Sequence, residues 1–272
     1  MSTARGRVEV AETGSGPALL VVHGMPGDWR QARTLADDLA DSARVLLVSR
    51  PGYGRTPLRS GRTPLEQAAL YAALLDSLGI DRAVVLGISG GGPSSYAFAA
   101  THTERCAGLV LACAVRSGVI TAPVGMRRLA AVPGLWSGLA TLARTADAVR
   151  RARGRRVEVD VSGLTEAERQ LLDDPYVREA AEVFEGERTR TIRGRGLRND
   201  TRRLGDAAPE WSAPAVPTVV LHGDLDEVVP LANGEAHAAA APGARLVVLP
   251  GLGHAVPVFA RRQLVAELRA LL

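Results

Sequence analysis

The chain has no lysine; all 33 of its Lys+Arg count is arginine, set against 29 acids for a formal net charge of +4. A pI of 9.6 reached in this way is the mark of an arginine-favouring composition. A nucleic-acid footprint would need that charge clustered with an aromatic or groove-entering element, so no nucleic-acid partner is expected. Cysteine is nearly absent. Cys106 and Cys113 cannot build a disulfide scaffold or a four-ligand zinc site, and their spacing matches no redox motif. Long apolar runs are missing too: the longest, Cys106 to Val115, is about half of a membrane span, and the opening MSTARGRVEV has no apolar stretch of a secretory signal. A cytoplasmic chain without a membrane partner is the expectation. With 272 residues, 46% hydrophobic and 23% charged, collagen-like, coiled-coil and disordered classes are excluded, and the chain can bury a sizeable core.

What is present is an alternation of short β-branched runs with longer helical patterns, the signature of a mostly parallel sheet with helices on both faces. The expected strands are Arg7 to Ala11, Ala18 to Val22, Arg44 to Ser49, Ala83 to Ile88, Gly108 to Ala114, Pro217 to His222 and Arg245 to Leu249. Several are continuously apolar, which suits strands covered on both faces. Between the third and fourth, Tyr71, Leu74, Leu75 and Leu78 repeat at helical spacing. Thr63, Pro64 and Glu66 supply cap, first-turn proline and capping-box acid there, and Gly79 ends the helix. Further helices are expected from Trp29 to Ala40, Gly91 to Thr101, Leu231 to Ala241 and Phe259 to Leu271.

The alternation breaks between residues 116 and 213, where only helical patterns separated by Gly and Arg runs occur. This reads as an insertion, dividing the chain into a sheet domain (1–115 and 214–272) and an inserted segment (116–213). The segment holds 18 Arg against 14 acids, leaving 15 against 15 elsewhere, so the whole positive excess lies on it. The cluster RRARGRR (Arg150 to Arg156) reads as a solvated helix end.

Strand Ala83 to Ile88 runs into Gly87-Ile88-Ser89-Gly90-Gly91, with a helical pattern following at once. In such an elbow the serine sits on a strained turn, and a side chain two positions before or after it would collide with the neighbouring strand and helix. A serine hydroxyl becomes a nucleophile only when a base removes its proton, and the base must be held by an acid. Of five histidines, His102 lies at a helix end, His237 within a helical pattern, and His23 and His222 at strand ends before glycine. His254 alone stands in a Gly-rich loop, GLGHAVP, after the last strand. The acid must come from Gly223-Asp224-Leu225-Asp226-Glu227, because the loop after strand Gly108 to Ala114 has no carboxylate before Asp147. The chain order serine, acid, histidine is neither that of chymotrypsin nor that of subtilisin.

These residues resemble the α/β-hydrolase superfamily over nearly the whole chain, in the manner of capped bacterial serine hydrolases. The resemblance is carried by His23-Gly24-Met25-Pro26, Arg50-Pro51-Gly52-Tyr53-Gly54, the elbow at Ser89, HGDLDEVVP from His222 to Pro230, and PGLGH from Pro250 to His254. It implies an α/β-hydrolase fold with a helical cap made by segment 116–213, whose end, GLRND…EW, looks like the return of such a cap. It selects Asp226 over Asp224 as the acid. It also implies an oxyanion hole from the backbone N–H groups of Met25 and Gly90, with His23 bracing the loop. Relatives often carry a cis proline at the position of Pro26. Met25, Trp136, Leu139, Tyr176 and Phe184 are the expected substrate-binding residues, with Leu135 and Cys113 as further candidates for the pocket wall.

Serine at the elbow disfavours epoxide hydrolase and haloalkane dehalogenase activities, which need an aspartate there. The expected reaction is hydrolysis of a small carboxylic ester, lactone or thioester through an acyl-enzyme. Carbon–carbon bond hydrolysis or biosynthetic cyclisation on the same three residues are alternatives, as is, from another class, a ligand receptor with little turnover. A small molecule is the expected partner and a homodimer is compatible with the sequence. Neither metal nor cofactor is implied, since the histidines lack ligand spacing and Ser89 interrupts the Gly-rich run that a pyrophosphate would need. The positive excess on the inserted segment hints at an anionic substrate.

Overall fold

A computed structural model describes residues 1–116, 159–188, 194–203 and 212–272 of the chain. Its strands are β1 (Ser2–Thr3), β2 (Gly6–Arg7), β3 (Glu9–Thr13), β4 (Ala18–Val22), β5 (Arg44–Ser49), β6 (Ala83–Ile88), β7 (Cys106–Ala112), β8 (Thr218–Gly223) and β9 (Arg245–Leu249). The aliphatic runs become strands buried along their whole length, β4, β6 and β8 among them. Among the described residues, seven strands form one sheet in the order β3-β5-β4-β6-β7-β8-β9, and β1 pairs with β2 apart from it. All pairings in the large sheet are parallel except β3 against β5.

Alternate residues of each strand enter opposite layers, as the two-residue strand period requires. On one face, Leu19, Val21, Val84, Leu86 and Val110 pack with Leu35 and Leu39 of α1 (Arg33–Leu39) and Leu264 and Leu268 of α9 (Arg261–Arg269). On the other, Leu20, Val22, Val85 and Leu111 pack with Leu70, Tyr71 and Leu74 of α2 (Pro64–Ser77) and Tyr96 and Phe98 of α3 (Gly92–Thr101). The capping box of α2 forms as its residues predict, with the Thr63 side chain accepting from the Glu66 N–H and Gly79 at φ +64° behind the last turn.

Three expected elements are interrupted. The first strand divides at the buried Val8, so that Gly6–Arg7 pairs with β1 while Glu9–Thr13 joins the sheet edge. The helix from Trp29 opens as a 3-10 turn (Trp29–Ala32) capped by Asp28 before α1 begins. The C-terminal helix breaks at Ala260 into α8 (Val256–Phe259) and α9, because Ala260 leaves helical geometry at ψ +25°. Strand β7 also starts and stops two residues earlier than expected: Cys113, at φ +43°, turns the chain out of the sheet.

Within the inserted segment the described helices are α4 (Glu166–Leu171), α5 (Pro175–Arg188) and α6 (Gly194–Arg203). Leu172, Val177, Ala180 and Ala181 join the same apolar cluster as Val256 and Phe259. α5 lies against the Trp29–Ala32 turn and α8, which belong to the connections after β4 and β9. The remaining helix is α7 (Ala232–Ala240). Among the described residues, no helix is long and apolar enough to cross a membrane.

Candidate active site

From β4 the chain moves to one side for β5 and then to the other for β6, so the strand order reverses between β4 and β6. In open parallel sheets the connections leaving the two strands at such a point diverge and open a crevice at their C-terminal ends. The connection after β4 carries His23 to Gly27, and the one after β6 carries Ser89. The two are in close contact: a Cβ added to Gly24 would lie 3.1 Å from Ser89 Cβ, and one added to Gly90 would lie 3.0 Å from Met25 Cβ and 3.5 Å from Met25 N. The Met25–Pro26 peptide is cis.

Ser89 stands at φ +48°, a left-handed conformation that non-glycine residues seldom adopt. The flanking glycines make room for it. A Cβ on Gly87 would sit 2.7 Å from the Ser95 side chain on α3, and one on Gly91 2.5 Å from the Val22 carbonyl of β4. These are the collisions with helix and strand that the elbow pattern implies. Ser89 is 8% exposed.

His254 Nε2 lies 2.9 Å from Ser89 Oγ, and its Nδ1 lies 2.8 Å from Asp226 Oδ2. A carboxylate can only accept, so Nδ1 carries the proton and donates to Asp226, leaving the Nε2 lone pair to accept from the Ser89 hydroxyl. Asp226 is fixed on its other side, where Oδ1 accepts from the N–H groups of Val228 and Val229 at 2.9 and 2.8 Å. Asp224 instead accepts from the Gly251 N–H and takes no part in these contacts. His222 is the neighbour that the sequence pattern did not single out: its Nε2 donates to the Val229 carbonyl at 2.8 Å and approaches Asp226 Oδ2 at 3.4 Å. Burial opposes ionisation of Asp226, but hydrogen bonds from His222, His254 and the Val229 N–H outweigh it and hold the carboxyl well below its ordinary range.

The connection after β4 is braced in turn. His23 Nδ1 donates to the Gly24 carbonyl at 2.6 Å and its Nε2 accepts from the Arg50 N–H at 2.9 Å, so both ring nitrogens are engaged and the ring is neutral. Burial, then the Arg50 charge, push its pKa well down. The Arg50 side chain donates to the carbonyls of His23 and Gly24 and to Asp200 of α6, which also accepts from the Tyr53 hydroxyl. The Arg-Pro-Gly-Tyr-Gly motif signalled this corner and the GLRND run contains its partner Asp200, 150 residues away, but nothing in the sequence paired the two. A second buried acid of the inserted segment, Glu168 of α4, accepts from the Gly253 N–H at 2.9 Å and so braces the loop that carries His254.

The remaining candidates are spread. Leu135, Trp136 and Leu139 lie outside the described residues. Tyr176 donates to Asp38 at 2.6 Å and lies beneath the guanidinium groups of Arg261 and Arg262. Phe184 packs against the large apolar cluster. Cys113 is buried behind the elbow, its thiol pushed well up by burial and by Asp226.

Comparison with known proteins places this geometry in a family. The model of the alpha/beta hydrolase fold family matches residues 17–260. A solved alpha/beta hydrolase fold protein from Nakamurella multipartita is similar over 99% of this chain and 98% of its own, with 34% identity and a TM-score of 0.80. A thermophilic esterase from Thermogutta terrifontis, solved with malate bound, is similar over 97% and 92%, with 25% identity and a TM-score of 0.69. Uncharacterized hydrolase YcgS of Bacillus subtilis is 34% identical over 116 residues, or 43% of this chain. The matches span 41%, 62% and 39% of the length of three such curated relatives. A family match that runs from before β4 to beyond the His254 loop takes in the sheet and both sides of its crevice, and the chain belongs to the alpha/beta hydrolase fold family.

Proposed function

We propose that the protein is a serine hydrolase that cleaves small carboxylic esters through an acyl-enzyme. The observation that carries this reading is the unbroken run of contacts from the Ser89 hydroxyl through His254 to Asp226. In the proposed reaction His254 takes the Ser89 proton as Oγ attacks the ester carbonyl. The oxyanion accepts from the N–H groups of Met25 and Gly90, and His254 then returns the proton to the departing alcohol. Water, activated by the same imidazole, attacks the acyl-serine and releases the acid. Asp226, whose ionisation is favoured, holds the imidazole in the tautomer that can accept and stabilises the imidazolium that forms. Two preorganised donors at the oxyanion account for several kcal/mol of the barrier, about 3 to 4 kcal/mol for each donor lost. The similarity to an esterase at 25% identity supports the ester class. Segment 116–213 is proposed as a cap over Ser89, consistent with α5 lying against the connections that follow β4 and β9.

The test is turnover of p-nitrophenyl acetate and butyrate, together with labelling by a fluorophosphonate probe. Turnover and a covalent adduct on Ser89, both lost in Ser89→Ala, are expected. Undiminished turnover in Ser89→Ala would refute the reading, and a wild type that is inert to ester and probe but binds a small ligand tightly would favour a receptor.

A further inference from the structure

Arg50 and Asp200 are each buried, their side chains 3% and 4% exposed, and joined by a 2.6 Å contact. Neither has a part in the proton relay. Removing one partner of such a pair strands a charge where water cannot reach it. What sets this pair apart is where the guanidinium points. Its Nε donates to the His23 carbonyl at 2.9 Å and its Nη2 to the Gly24 carbonyl at 3.2 Å, the latter also accepting from His23 Nδ1. The Gly24 carbonyl and the Met25 N–H are opposite ends of one planar peptide unit. A cation bonded to the oxygen end draws electron density toward itself and makes the N–H end a stronger, better-fixed donor.

We propose that Arg50 and Asp200 are positioning residues for the oxyanion hole: Asp200 holds the guanidinium against the Gly24 carbonyl, and that contact orients and polarises the Gly24–Met25 peptide. The proposal rests on the serine-hydrolase reading, in which the Met25 N–H is an oxyanion donor. It makes the docking of α6 part of the active site. The local packing supports this. The Gly196 N–H donates to the Gly52 carbonyl at 3.1 Å, and a Cβ on Gly196 would strike the Tyr53 ring at 2.5 Å. The Tyr53 hydroxyl donates to the same Asp200 oxygen at 2.8 Å, and the guanidinium carbon lies 5.0 Å from the centre of the Tyr53 ring. α6 therefore meets the Arg50 corner at a close backbone contact that sets where its carboxylate falls.

The experiment compares the full-length wild type with Asp200→Asn, Arg50→Lys and Asn199→Ala, with all rates referred to sites titrated by the fluorophosphonate. Asn199 is the control. It lies on the same helix and donates to the Arg62 carbonyl, outside the Arg50 corner. The readouts are kcat and KM for p-nitrophenyl acetate, the pH midpoint of kcat/KM, and the Ki of a trifluoromethyl ketone that becomes a tetrahedral oxyanion on Ser89. For Asp200→Asn, kcat should fall about 10- to 100-fold, short of the 10²–10³-fold typical of deleting a donor. KM should stay within about twofold, Ki should rise in step with the loss of kcat, and the pH midpoint should not move, since the proton relay is untouched. Arg50→Lys keeps a cation beside Asp200 but has no planar fork to bridge two carbonyls, and should lose in the same two readouts. It serves as the second probe should Asp200→Asn not fold. Asn199→Ala should lower thermal stability alone. A folded Asp200→Asn or Arg50→Lys with kcat and Ki within about threefold of wild type would overturn the proposal by itself, with the hydrolase reading intact. An inert, unlabelled wild type would overturn both.

Discussion

Replacing Asp226 by asparagine changes one atom pair and should nearly abolish turnover, for a reason the local geometry makes specific. Oδ1 accepts from two backbone N–H groups, those of Val228 and Val229. An asparagine must therefore keep its carbonyl oxygen at that position and present its NH₂ where Oδ2 stood, against His254 Nδ1 at 2.8 Å. A donor there can be met only by the Nδ1 lone pair, which moves the imidazole proton to Nε2, the atom 2.9 Å from Ser89 Oγ. The base then has no lone pair for the serine proton and no carboxylate to stabilise its cation. A wrong-tautomer substitution of this kind lowers kcat about 10⁴-fold in serine proteases, equivalent to about 5 kcal/mol of barrier. The amide cannot escape by flipping, since that would set its NH₂ against two backbone donors. The assay is p-nitrophenyl ester turnover by Asp226→Asn at pH about 7 to 9, with KM and thermal stability measured in parallel. A folded variant within about tenfold of wild-type kcat would refute the argument that Asp226 sets the tautomer.

Other outcomes follow from burial. His23 and His237 are held neutral, His237 with its pKa pushed down to about 3 by burial and then by Arg116. The unfolded chain takes up protons at these rings below about pH 6.5 while the native state does not, so stability present above that pH is lost as the pH falls toward the native values. Between about pH 7 and 5.5 the two together remove about 2 kcal/mol, read as a falling midpoint in urea unfolding; a flat midpoint would contradict the assignment. Burial pushes the Cys106 thiol up to about 12 and the Cys113 thiol well up, so neither should react with a disulfide reagent near neutral pH until the chain unfolds. Rapid labelling of the folded protein would show the burial to be wrong. Gly91→Ala places a methyl 2.5 Å from the Val22 carbonyl, in backbone that cannot give way. It should destabilise the protein by about 1 to 3 kcal/mol and lower ester turnover even where folded; wild-type behaviour in thermal melts and turnover would deny the tight elbow.

Much of the sheet domain could be read from the chain itself because its signals are local. Apolar runs bounded by glycine became β4, β5, β6 and β8, and the Thr63-Pro64-Glu66 start became the capped α2, since a strand covered on both faces and a capping box each need only a few adjacent residues. Ser89 and His254 stand out for a related reason, each at a strand's C-terminal end in a glycine-rich turn that a parallel sheet brings to one edge, whereas local pattern left the acid open within residues 224–227 and only the resemblance selected Asp226. What pattern alone missed lies where tertiary contacts override local preference. Ala260 breaks an amphipathic helix, Cys113 turns left-handed in the midst of an apolar run, and His222, read only as a strand-end histidine, comes within 3.4 Å of Asp226. The buried carboxylates Glu168 and Asp200 are the clearest case. In the sequence Glu168 is an acid among arginines and Asp200 one letter of the GLRND run, and neither is marked there as buried. Only the docking of α4 and α6 withdraws them from water, and a carboxylate out of water must find donors, which it does in the Gly253 N–H and the Arg50 side chain.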